Sequence, residues 1–269
     1  MEQKESSLVI IVGPTASGKS ALALELAERY NGELICADSR TVYKGMDIGT
    51  AKPSIIDQLR VPHHMLDIVN PEEPFNVGQF KKQAEQLIKE IHNRGKLPMI
   101  VGGTGLYIDS VLYDYTFSHS GAAKDDINPR HLKRNASPSK NRMCANTLVI
   151  GLDVPKEVIE ERISNRVDEM IEQGLEAEVS HLSQIYGWEA EAMTGVGYRE
   201  WQGYYKGLQT LDQTRQLIVT HSRQYAKRQR TWFKRNSDIN WISTTQSAHQ
   251  IMKQYLQQNK LHNTLNLHI

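Results

Sequence analysis

Residues Gly13 to Ser20 read GPTASGKS and follow the apolar run Leu8 to Val12. This is the GxxxxGK[ST] spacing of a loop that wraps a phosphate chain. Gly13 and Gly18 permit a tight backbone that a Cβ would obstruct. Lys19 can reach a phosphate oxygen, and Ser20 offers its hydroxyl to a magnesium ion. The stretch ALALELAERY behind them reads as a helix whose N-terminal N–H groups and dipole face the anion. The candidate cradle is therefore Gly13, Pro14, Thr15, Ala16, Ser17, Gly18, Lys19 and Ser20. Loops of this kind usually hold ATP, but the pattern specifies only a phosphate chain.

Further groups could act on what the loop holds. Asp38 ends the apolar stretch ELICA, where a carboxylate can serve as a general base or substrate hook, or simply cap a turn. KLPMIV runs into Gly102-Gly103-Thr104-Gly105, where an ATPase-like strand usually ends in an acidic magnesium ligand. That weakens an ATP hydrolase reading and leaves small kinases open. Arg162 and Arg166 flank an apolar seam of Val158, Ile159, Ile163, Val167, Met170 and Ile171 at helical spacing. From Arg215 to Arg235 there are seven Lys or Arg residues and no acid. Arg223, Lys227, Arg230 and Lys234 share one helix face. A solvated helix surface normally mixes signs, so a one-sign stripe points to a polyanion such as a phosphate backbone.

The elements that must position these groups follow from the pattern. Leu8–Val12, ELICAD and Leu97–Val101 read as buried strands, and TLVIGLDV as a further one. Helices are expected from about Asn76 to Asn93, from about Leu106, and without a break through PKEVIEERISNRVDEMIEQGLEAEVSHLSQI. PHHMLDIVNPEEPF reads as irregular. Strand and helix alternate, which indicates an α/β fold: a P-loop NTPase-like, doubly wound parallel sheet with ligands at the strand C-termini. The organisation expected is one domain over residues 1–269, with a short basic insert at 116–146 and a C-terminal tail at 244–269. The insert carries Lys124, Arg130, Lys133, Arg134, Lys140 and Arg142 against Asp125 and Asp126. The chain has 269 residues, 39% hydrophobic and 23% charged, with a net charge of +1, ordinary for a soluble globular protein. Two cysteines make neither a disulfide framework nor a zinc site, and no apolar run is long enough to span a membrane. A cytoplasmic monomer is expected.

A phosphorylated small molecule at one end and a polyanion at the other suggest group transfer to RNA. At this point GPTASGKS, ADSRTVYKGMDIGTAKP, PHHMLDI, VGGTGLYI, GVGYRE and RQYAKRQRTWF, in this order, resemble the serial motifs of the bacterial tRNA dimethylallyltransferase (tRNA isopentenyltransferase) family, up to about Trp241. The resemblance implies that the loop holds the diphosphate of dimethylallyl diphosphate, with Mg2+ at Ser20. It implies that Asp38 takes a proton from the N6 amine of the adenosine just 3′ of the anticodon, and that Thr104 holds that nucleotide or the base. Arg166 matches the arginine that neutralises the departing diphosphate. Asp38, Ser39, Arg40 and Thr41 match the tRNA-contacting stretch, although many relatives carry glutamine where Thr41 stands. Arg130 and Arg134 are the best matches to the arginine-rich part of an insert that is much shorter here. With Thr104 and with Arg223, Lys227 and Arg230 of the stripe, these are the candidate contacts to the tRNA anticodon stem-loop. Three other readings share some of these features: a P-loop small-molecule kinase, prenyl transfer to a free adenine nucleotide, and an RNA-binding protein with a vestigial loop.

Overall fold

The computed structural model describes residues 7–117, 136–138 and 143–265. Its centre is a six-stranded parallel sheet built from β1 (Leu8–Val12), β2 (Gly32–Ala37), β3 (His63–His64), β4 (Leu97–Gly102), β7 (Thr147–Leu152) and β8 (Asn240–Ile242). The order across the sheet is β3-β2-β4-β1-β7-β8. β1 is apolar throughout because both faces are covered. Leu8, Ile10 and Val12 point into one core, Val9 and Ile11 into the other, the alternation that the pleat imposes.

The first core lies under α3 (Val77–Asn93) and α4 (Gly105–Leu112), the second under α1 (Lys19–Arg29). α3 is fixed at its start by a reciprocal capping box between Asn76 and Gln79. A third apolar cluster joins α5 (Lys156–Glu172), α6 (Leu175–Tyr186), the short α7 (Trp201–Tyr205) and α8 (Leu211–Phe233). α2 (Ile55–Arg60) is a surface turn of helix. β5 (Tyr115–Phe117) and β6 (Ala136–Pro138) form a two-stranded antiparallel ribbon within the segment read as an insert. Lys124, Asp125, Asp126, Arg130, Lys133, Arg134, Lys140 and Arg142 lie outside the described residues.

Register matters more than outline here. Val12 pairs with Gly102, and Gly102 pairs in turn with Ala37. The ends of β1, β4 and β2 are therefore level, and the three stretches that follow them emerge side by side.

Three expectations change. The helix from Pro155 breaks at Gly174, whose φ of 100° ends α5 and starts α6; an L side chain rarely adopts that conformation. The stretch from Pro62 is not wholly irregular, since His63 and His64 pair with Leu34 and Ile35 at the sheet edge. The C-terminal stretch is α9 (Thr245–Leu265), which buries Ala248 and Met252 in the second core. The Tyr255 hydroxyl accepts the Leu8 N–H at 3.0 Å and donates to the Asn146 carbonyl at 2.5 Å. Among the described residues no helix is long and apolar enough to cross a membrane.

Candidate active site

The loop from Gly13 closes onto α1, and the sequence around it supplies cations. Lys19 lies at its mouth with Nζ 3.5 Å from the Pro14 carbonyl. Burial lowers its pKa to about 8, against the pull of Asp38 and with the push of Arg166. Arg166 Nη1 donates to Thr15 Oγ1 at 3.3 Å, and burial lowers its pKa as well. One turn earlier on α5, Arg162 Nη1 is 3.5 Å from the carbonyls of Ala16 and Ser17. The sequence pattern had set Arg162 beside the seam without a role. Ser20 is exposed on the first turn of α1, whereas Ser17 is buried.

The ends of β2 and β4 face the loop. Asp38 Oδ1 accepts the Arg40 N–H at 2.8 Å, and Thr104 Oγ1 accepts the Ser39 N–H at 3.2 Å. Two adjoining cavities open at this row. One, of about 270 Å³, is walled by Thr15, Asp38, Arg166 and the apolar Ile163, Val167, Met170 and Ile218. The other, of about 380 Å³, is walled by Thr104 and by Phe75, Tyr107 and Trp232. Ser39, Arg40, Tyr225 and Arg228 belong to both walls and mark the junction. Burial and the negative Asp38 push the Tyr225 phenol up to about 12, against the influence of Thr104 and Gln229, so it stays neutral.

α8 supplies the wall through Ser222, Tyr225, Arg228, Gln229 and Trp232, which share one helix face. This face, not the basic stripe, meets the cavities. Arg223, Lys227 and Arg230 line neither cavity. Arg223 Nη2 is 3.4 Å from the Glu160 carbonyl, Lys227 is exposed, and Arg230 pairs with Asp153 at 3.0 Å. Lys234 shares that carboxylate at 3.0 Å. Asp153 lies just beyond β7, in a turn that no local pattern ties to α8.

The glycines after β4 have a steric reason. A Cβ on Gly103 would collide with the Gln229 amide, and one on Gly105 with the Trp232 indole. The motif GVGYRE is a brace. Tyr198 donates to Glu178 at 2.6 Å, and Glu178 also accepts the N–H groups of Asp47, Ile48 and Gly49. Glu200 accepts the Gly197 N–H at 2.8 Å and meets His221 at 2.7 Å. Together these pin the loop after Gly45 against the helical layer. Arg40 is anchored in turn, through the Glu191 carbonyl at 2.7 Å and Thr194 Oγ1 at 3.1 Å. Thr41 is buried, and among the described residues its hydroxyl has no partner, so its side chain faces the interior instead of the groove expected to meet RNA.

The family model described as IPP transferase matches residues 41–137 and 128–236, two stretches that overlap inside the insert. A protein of Staphylococcus saprophyticus named tRNA dimethylallyltransferase is 37% identical, over 94% of this chain and 96% of its own. One of the same name from Bacillus subtilis is 36% identical, over 91% and 93%. The solved tRNA isopentenylpyrophosphate transferase of Bacillus halodurans superposes with a TM-score of 0.84 at 33% identity, covering 96% of this chain and 99% of that one. A eukaryotic dimethylallyltransferase solved acting on tRNA gives 0.77 at 25% identity, over 88% and 74%.

Proposed function

Because this chain belongs to the IPP transferase family and is a tRNA prenyltransferase, we propose that its loop holds the diphosphate of dimethylallyl diphosphate and that its acceptor is the N6 amine of the adenosine just 3′ of the anticodon. The observation that carries this reading is the level row of strand ends. It sets Thr15 of the phosphate loop, the Arg166 cation and the Asp38 carboxylate on the wall of one cavity, with an aromatic cavity adjoining.

The two cavities suit the two substrates. The apolar side chains beside Thr15 and Arg166 take the allyl chain, while its diphosphate lies against Lys19 and Arg166. The cavity with Phe75, Tyr107 and Trp232 takes a base removed from its stack, as an enzyme acting on a base requires. The new bond joins N6 to the allylic C1 as the C1–O bond breaks, and the electron pair leaves with the diphosphate. Arg166, Lys19 and the N-terminal N–H groups of α1 face the charge that develops there, and preorganised donors of this kind lower the barrier. Asp38 receives the N6 proton. Thr104, fixed by the Ser39 N–H, orients the base at the junction.

Ser20, exposed on the first turn of α1, would hold a magnesium ion through its hydroxyl. Among the described residues no group of three His, Cys, Asp or Glu could hold a metal, and a single hydroxyl is a modest donor set. When bound, the ion would share the neutralisation of diphosphate charge. The overlap of the two family matches at 128–137, and an alignment of 302 residues against a chain of 269, support a shortened insert.

The test is to incubate the protein with labelled dimethylallyl diphosphate and unmodified tRNA, AMP, or neither. Label is expected in tRNA alone. Label in AMP would move the reading to a free nucleotide acceptor. Turnover of ATP with a small alcohol would favour the kinase.

A further inference from the structure

Gln229 is buried in α8, with its carboxamide wedged between the phosphate loop and the turn after β4. Oε1 accepts the Thr15 N–H at 2.8 Å, and Nε2 donates to the Gly103 carbonyl at 3.0 Å. The partners fix which end is which, since a peptide N–H only donates and a carbonyl only accepts. Thr15 carries the contact to Arg166, and Gly103 precedes Thr104. One side chain thus spans the group facing the leaving diphosphate and the group facing the amine. Tyr225, one turn earlier, stands on the walls of both cavities.

We infer that Gln229 is a positioning residue that holds the phosphate loop and the Thr104 turn at the separation which in-line transfer needs. It touches neither reacting atom. Its effect falls on the chemical step, because a displacement of about 1 Å between reacting groups costs on the order of 100-fold, whereas each half-site retains its own binding contacts. The inference rests on the reading that the loop holds the prenyl diphosphate.

Two variants test it. Gln229→Met keeps the length and removes both hydrogen bonds. The expected result is a single-turnover rate at saturation lowered by about tenfold or more, with dissociation constants for inorganic pyrophosphate and tRNA within about threefold of wild type. A wild-type rate at saturation would overturn the inference, and so would weakened binding of either ligand with the saturated rate intact. Gln229→Glu decides the matter if the Met variant does not fold. As a carboxylate it can accept from Thr15 but cannot donate to Gly103; protonated, it regains the donor. Its rate relative to wild type should therefore rise as the pH is lowered, and a ratio independent of pH would count against positioning. Wild-type enzyme run alongside separates the two levels of argument: if it fails to label tRNA, the proposed reaction is wrong, and if it succeeds while both variants match it, only the role of Gln229 is wrong.

Discussion

Asp38 is held by one oxygen: Oδ1 accepts the Arg40 N–H. Under the proposed reading Oδ2 is left for the amine. Asp38→Asn keeps the size and an acceptor while removing the basicity. The single-turnover rate under saturating enzyme is expected to fall by about 100- to 10,000-fold, with tRNA affinity changed much less. Wild-type rates with weak tRNA binding would make Asp38 a tether instead of a base. Lys19 gives a second prediction with a sign. Burial sets its pKa at about 8 in the ligand-free protein. Below that value it is charged and attracts the diphosphate; above it, binding must first bring in a proton. The affinity advantage of wild type over Lys19→Met for pyrophosphate should therefore shrink as the pH passes about 8. Titration calorimetry at pH 7 and pH 9 reads the difference directly, and an advantage constant across that range would show Lys19 charged throughout.

At the scale of the element, α8 shows what the sequence could and could not say. The phosphate loop, Asp38 and the turn at Thr104 were legible because each follows an apolar strand, and parallel strands must align their ends. The face of α8 that meets the cavities was harder to find. Ser222, Tyr225, Gln229 and Trp232 are mixed in character and form no periodic apolar or charged pattern. The charged residues beside them, Arg223, Lys227 and Arg230, do form one. The partner of Arg230, Asp153, is distant in sequence, so the pairing emerges only from the fold. Arg228 stands at the junction of the cavities. Arg228→Ala should flatten the log–log salt dependence of tRNA binding by about 0.7 to 0.9, the slope of one phosphate contact. The triple Ala variant of Arg223, Lys227 and Arg230 should fall short of the roughly two to three units that three full contacts would remove. A salt titration in which the triple variant loses all of them would return the stripe to the RNA interface.

The whole molecule separates chemistry from anchorage along the strands. The C-terminal ends carry the candidate site, and the opposite ends carry a charge cluster around one buried carboxylate. Glu33, second residue of β2, is 3% exposed and is met by Arg94 at 2.6 Å, His64 at 2.7 Å and Lys96 at 3.1 Å. Single positions gave little sign of this, because the partners come from the link between α3 and β4 and from the edge strand β3. Burial alone would raise the Glu33 pKa, but the hydrogen bonds from Arg94, His64 and Lys96 outweigh it and bring the value down to about 2, from 4.5. The folded state therefore binds this proton more weakly than the unfolded chain does. The cluster's contribution to stability is complete above about pH 4.5 and is lost as the pH falls towards 2. Glu33→Gln removes the titrating group and leaves Arg94 and Lys96, both partly exposed, able to turn to water. Wild type should be the more stable protein at pH 6, and the gap should narrow steadily between pH 4.5 and the acid limit of folding. Urea unfolding of both proteins at half-unit pH steps measures it. Two parallel curves would mean that Glu33 keeps its proton balance unchanged on folding, and acid sensitivity would then have to be sought at the catalytic end of the sheet.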